Sequence, residues 1–207
     1  YSPTSARGFV SKSSPFGTVE DPFIPAELCF GARGRFFARS LDIDMKLLGQ
    51  CMVASAKHKG ASVVEVLVNC VIFNDGIHKG VAQREVRDDR SIVLHHGEKM
   101  IFGKEKNKGI VLDGLRLKAV TIGEDGYTLD DVLTHDAHEV DPTLHTMLAM
   151  MGTNDDMPVA FGVIREVEDI CYDQAVTDQI EEVRAQKPGI RSLEDVLLKD
   201  AYWEVKE

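Results

Sequence analysis

The residue whose type and place most invite chemistry is Cys70. It follows an apolar run over residues 61–68, "ASVVEVLV", and precedes Asn74, Asp75 and Gly76. Proteins of the α/β class gather ligands at the carboxyl ends of their strands. A thiolate there is placed to bind a metal ion or an iron–sulfur centre, although a cysteine also serves as a small core hydrophobe. A four-cysteine iron–sulfur site needs three more thiolates. Cys29 and Cys51 fall on predicted helices and Cys171 near the start of another. A complete cluster held by this chain alone is not expected.

A second group is "THDAHEVD", residues 134–141, with His135, Asp136, His138 and Asp141, followed by His145. Imidazole with carboxylate ligates zinc or non-haem iron. The same pattern describes a polar loop with surface histidines. From Gly123 to Asp156 there are nine acidic residues and no Lys or Arg, a solvated acidic face on either reading. Residues 99–118 reverse the sign, with Lys99, Lys104, Lys106, Lys108, Arg116 and Lys118 against Glu105 and Asp113. That stretch could face an acidic partner, a phosphate-bearing ligand or only water. "GARGRF" at 31–36 is not a dinucleotide fingerprint, and no Walker A, GxSxG or kinase signature occurs.

The elements that must position these residues follow from periodicity. Residues 1–25 are rich in Ser, Pro, Gly and Thr and read as a long irregular segment. A short helix is expected from Pro25 to Phe30 and a strand from Arg35 to Ser40. Met45, Leu48 and Met52 recur at helical spacing within residues 42–57, and Gly60 is a natural stop. The apolar strand Val63–Val68 should be covered on both faces. Strand, helix and strand make a βαβ unit with a parallel pair. Beyond Gly76, short strands over 91–94, 99–102, 110–112 and 115–122 are punctuated by glycines and suggest an antiparallel excursion. Helices are expected over 141–151, 173–186 and 192–199, with Ser192 as a cap, and a strand over 159–167.

The 207 residues suffice for one large domain or two small ones. A net charge of -10 excludes a general nucleic-acid binder, which needs a basic face. No apolar run approaches the roughly 18 residues of a membrane span. Four widely spaced cysteines without CxxC, and no secretory leader, point to a cytoplasmic protein with reduced thiols.

The stretch "VVEVLVNCVIFNDG" resembles the β subunit of the 2-oxoacid:ferredoxin oxidoreductases, in which a strand ends in a similar Asn-Cys-x-x-Phe-Asn segment. "YSPTS" and "SKSSPFGTVEDPFIPAEL" resemble the loop after the thiamine-binding region. "FFARSLDIDMKLLGQCMVASAKHKGASVVEVL" resembles the next βαβ unit, and "SLEDVLLKDAYWEV" the family's C-terminus. The resemblance implies an α/β fold: residues 1–75 as the C-terminal part of a parallel-sheet thiamine-binding domain, then 76–207 as a small β-rich and α extension. It also implies oxidative decarboxylation of a 2-oxoacid, in the style of the 2-oxoglutarate branch, to its acyl-CoA. Thiamine diphosphate with Mg2+ and a [4Fe–4S] cluster would be the cofactors. An α subunit, ferredoxin, the 2-oxoacid and CoA would be the partners. By this resemblance Cys70 is the last of four cluster cysteines, and Ser2, Pro3 and Thr4 approach the thiamine.

The sequence departs from the family in lacking both the CxxC of the other cluster ligands and the Gly-Asp-Gly stretch for magnesium and diphosphate. It begins at Tyr1 rather than Met and reads as a C-terminal portion. The chain alone is expected to hold neither intact cofactor and to be inactive. The competing reading is a non-catalytic domain that only docks onto partner subunits.

Overall fold

One strand buried along its whole length organises the molecule. In this computed structural model, which describes residues 1–152, 156–186, 192–198, 203 and 205, that strand is β1, Phe36–Leu41. It follows α1, Pro25–Gly31, whose proline supplies a preset first turn. After β1 come α2, Met45–Lys57, and β2, Ser62–Leu67. The carboxylate of Asp44 caps α2 by accepting the Leu47 N–H at 3.1 Å. β1 and β2 pair in parallel, Phe36 opposite Ser62 and Leu41 opposite Leu67, so the expected βαβ unit is present.

Two short helices the periodicity did not suggest, α3 (Lys79–Ala82) and α4 (Arg84–Arg90), lead to β3, Ser91–Leu94. Neither helix buries a residue, so neither carries an apolar stripe that a sequence pattern could reveal. Next come β4 (Ile101–Phe102), β5 (Lys108–Asp113) and β6 (Arg116–Thr121), an antiparallel three-stranded sheet. α5 (Thr143–Ala149) and β7 (Val159–Glu166) follow.

β7 returns to the first sheet, whose order is β2-β1-β7-β3. It pairs antiparallel with β1 and parallel with β3. The α/β expectation therefore holds, with a mixed sheet beside a small antiparallel one. Side chains of β1 enter two cores. Phe37 packs with Phe30, Ile92, Leu148 and Ile164, while Phe36 and Leu41 pack with Leu47, Cys51 and Phe161. Burying a Phe is worth about 1.5–3 kcal/mol each, so β1 fixes both layers.

β2 differs from its expectation. It is the edge of the four-stranded sheet, and its residues are half-buried or exposed. Its apolar run is not enclosed by these residues.

The described residues form two compact units, Tyr1–Asp169 and Ile170–Glu207. A division after residue 75 would run through the first unit, because β7 and β3 complete the sheet of β1 and β2. The second unit contains α6, Tyr172–Gln186, and α7, Leu193–Leu197. The expected helix over 192–199 matches α7 in part. Lys199 and several residues of the "KDAYWEV" close lie outside the described residues. Among the described residues no helix is long and apolar enough to cross a membrane.

Candidate functional site

A crevice of about 770 Å³ opens beside the carboxyl end of β2. Its walls include Ser2, Thr4, Phe23, Ile24, Glu65, Cys70, Phe73, Asn74 and His78. Ser2 and Thr4 from the irregular N-terminal segment thus meet Cys70 from the strand end. Their hydroxyls lie 3.0 Å apart. Pro3 faces an adjoining hollow of about 470 Å³ instead, and its carbonyl accepts the Phe23 N–H at 2.7 Å.

Cys70 is half-buried, unlike Cys29 and Cys51, which are core residues. Burial pushes the Cys51 thiol up to about 11 and that of Cys29 upward. Cys70 moves the other way. The nearby backbone N–H groups of Phe73 and Ile72, and then of Asn74, favour its charged form and lower its pKa. The thiolate is the form that ligates metal. Val71, Ile72 and Phe73 around it are exposed apolar residues.

This donor set fits one ligand of an iron–sulfur cluster. Among the described residues no three His, Cys, Asp or Glu side chains converge to hold a metal ion. The crevice adds hydroxyls and an apolar wall, suited to the rim of an organic cofactor site.

The sequence reading missed Glu65 and His78. Glu65 is Arg39's partner across the parallel register, with Arg39 Nε donating at 2.5 Å. Arg39 is itself buried and also donates to the Ala149 carbonyl at 2.9 Å. His78 stands at the start of α3, where burial lowers its pKa despite nearby Asp42 and Glu65. No pattern around "GIHKG" marks that position.

The histidines of 134–145 do not make a metal centre. His135 and His145 are buried pins. The ring of His135 lies 3.0 Å through Nε2 from the Val163 carbonyl. His145 sets Nε2 2.7 Å from the Asp136 carbonyl and Nδ1 2.8 Å from Arg165. An arginine only donates, so His145 Nδ1 accepts, and the ring is neutral with its proton on Nε2. His138 Nδ1 meets the Glu166 carbonyl. Three histidines thus face main-chain carbonyls rather than a common point.

The basic stretch is also partly committed. Lys99 donates to the Val132 carbonyl at 2.6 Å, Lys108 pairs with Asp89 at 2.8 Å, and Lys118 with Asp113 at 3.8 Å.

No protein-family model matches the chain. It is 33% identical, over 206 residues, to 2-oxoglutarate oxidoreductase subunit KorB of Mycobacterium tuberculosis, covering 99% of this chain and 54% of that protein. It is 35% identical over 74 residues to 2-oxoacid:ferredoxin oxidoreductase 1, subunit beta, of Aeropyrum pernix, covering 36% of this chain and 23% of that one. Among solved structures it is similar to a 2-oxoglutarate:ferredoxin oxidoreductase from Magnetococcus marinus, described with 2-oxoglutarate, coenzyme A and succinyl-CoA bound. The TM-score is 0.59 at 16% identity, covering 97% of this chain and 53% of that one, a likeness of fold. The chain spans about half the length of KorB and of this structural neighbour.

Proposed function

Because the chain belongs to the family of 2-oxoacid:ferredoxin oxidoreductase β subunits, we propose that it forms part of an enzyme oxidising a 2-oxoacid, 2-oxoglutarate first, to its acyl-CoA. Ferredoxin is the proposed electron acceptor and an α subunit the proposed partner. The observation that carries this reading is the meeting of Ser2, Thr4 and Cys70 in one crevice. They come from opposite ends of a 70-residue stretch, in two segments that both resemble the family's cofactor region.

Thiamine diphosphate with Mg2+ would supply the carbanion chemistry, and a [4Fe–4S] cluster the one-electron transfers. Cys70 would hold the cluster as one of four thiolates. Its backbone amide partners stabilise the charged sulfur. Ser2 and Thr4 would present hydroxyls to the thiamine, with Pro3 shaping the backbone between them. Phe23, Ile24 and Phe73 would exclude water from the same space. The other three thiolates and the diphosphate site would come from residues outside this sequence, so the isolated chain binds neither group.

The test uses the complete enzyme containing this chain, with wild-type Cys70 or Cys70→Ser. The wild type is expected to reduce ferredoxin when given 2-oxoglutarate and CoA. The variant should lose that activity and cluster iron together. Undiminished iron and activity in Cys70→Ser would refute the ligand assignment. Finding about four iron and four sulfide atoms on each isolated chain would refute the division of ligands.

A further inference from the structure

The turn carrying Cys70 is tied across its base by one amide. Asn69 Nδ2 donates to Asp75 Oδ1 at 2.9 Å, and Asn69 Oδ1 accepts the Gly76 N–H at 2.7 Å. The backbone N–H of Asn69 donates to Asp42 Oδ2 at 3.1 Å. Asp42 in turn donates its own N–H to the Leu67 carbonyl at 3.1 Å, fastening the turn to the ends of both parallel strands. Inside the turn, the Asn74 N–H donates to the Cys70 carbonyl at 2.9 Å. Gly76 holds φ at +80°, which only glycine adopts freely, so the backbone can reverse where the clasp closes.

Both faces of the Asn69 amide are used. Asp at this position would keep an acceptor for Gly76 but turn a carboxylate toward Asp75. The backbone N–H groups that favour the charged Cys70 sulfur belong to residues 72–74, all within the span that the clasp closes.

Resting on the reading of Cys70 as a cluster ligand, we propose that Asn69 and Asp75 are a positioning pair. Their amide–carboxylate clasp holds the 70–76 turn so that its backbone N–H groups point at the Cys70 sulfur. It thereby sets the reduction potential of the cluster bound there. Neither residue touches the reacting atoms.

The design of the clasp gives a swap test. Asn69→Asp opposes two carboxylates and should open the turn. Adding Asp75→Asn restores one amide and one carboxylate in reversed order and should close it again. Hydrogen exchange on the 207-residue chain reads the turn directly. Amides of residues 72–76 should exchange roughly tenfold faster in Asn69→Asp, the loss of about one hydrogen bond, and return to the wild-type rate in the double variant. In the assembled enzyme, the midpoint potential and the electron-paramagnetic-resonance line shape of the reduced cluster should shift in Asn69→Asp and be rescued by the swap. Exchange and potential both unchanged in Asn69→Asp would overturn the proposal. So would a double variant that stays shifted while folded by circular dichroism. A wild-type assembly without a cluster would instead sink the parent reading and the redox half of the proposal, and the exchange data would still decide the clasp.

Discussion

His135 shows at single-residue scale how a chemical-looking group serves the fold. Burial pushes its pKa down to about 4, and its Nδ1 meets no donor among the described residues. The sign of its effect on stability follows. Above the unfolded value of about 6.5 the ring is neutral in both states and contributes no pH dependence. As pH falls from there towards 4 the unfolded chain takes up the proton first, and about 3 kcal/mol of stability is lost from this group. His145 is shifted in the same direction by burial and adds to the slope. Urea titrations at pH 7.5, 5.5 and 4.5 should show this loss. His135→Gln, which can still donate to Val163, should flatten it; an unchanged slope in the variant would assign the loss elsewhere. At this scale the place of Cys70 was legible, because a residue just past the end of an apolar strand falls where the crevice opens. Asn69 was not legible, because an amide's partners are chosen by a turn whose shape no residue pattern encodes. Surface exposure was the wrong expectation for His135 and His145, since a loop rich in acids gave no hint that its imidazoles point inward.

Elements were legible where one period dominates. The amphipathic spacing of α2 and the β-branched run of β2 gave both elements nearly in full. What the run could not give was its neighbours. An unbroken apolar strand looks the same whether both faces are covered or the residues that cover it lie elsewhere. β7 carries a similar hidden feature. Its pairing to β1 slips between Phe37 and Ala38, and Gly162 sits near the slip with φ of +93°. A Cβ there would stand 2.7 Å from the Leu94 carbonyl oxygen, on the neighbouring strand β3. Gly162→Ala should therefore cost about 1–3 kcal/mol through strain alone, with the backbone displaced from β3. Thermal melts of the two proteins would show the loss, and an unchanged melting temperature would mean that the bulge relaxes freely.

For the whole molecule, length and composition placed the chain among globular proteins, acidity turned it away from nucleic acid, and the strand–helix–strand pattern gave the α/β class. The family resemblance drew together residues that composition could not. The crevice depends on stretches far apart in the sequence: the N-terminal segment, and the end of β2 with the turn that follows it. Only their motifs, not their periodicity, connected them in advance. The division into Tyr1–Asp169 and Ile170–Glu207 was hidden for a different reason. Domain limits follow from which strands share a sheet, and β7 joins the opening unit from far along the chain.

That late strand imposes an order on folding. β1, α2 and β2 can associate as soon as they are made, because their contacts are local. β3 has no partner in its sheet until β7 exists, since β7 alone lies between it and β1. The central core, with Phe37 packed among Ile92 and Ile164, must wait as well. Closing so long a loop is slow relative to local pairing. A nascent chain paused before Val159 would therefore present half a sheet with two unmatched edges, the condition in which strands aggregate. A chain ending at Pro158 should show no cooperative melting transition and should bind a hydrophobic dye. A sharp transition in that truncated chain would mean that the first βαβ unit folds on its own.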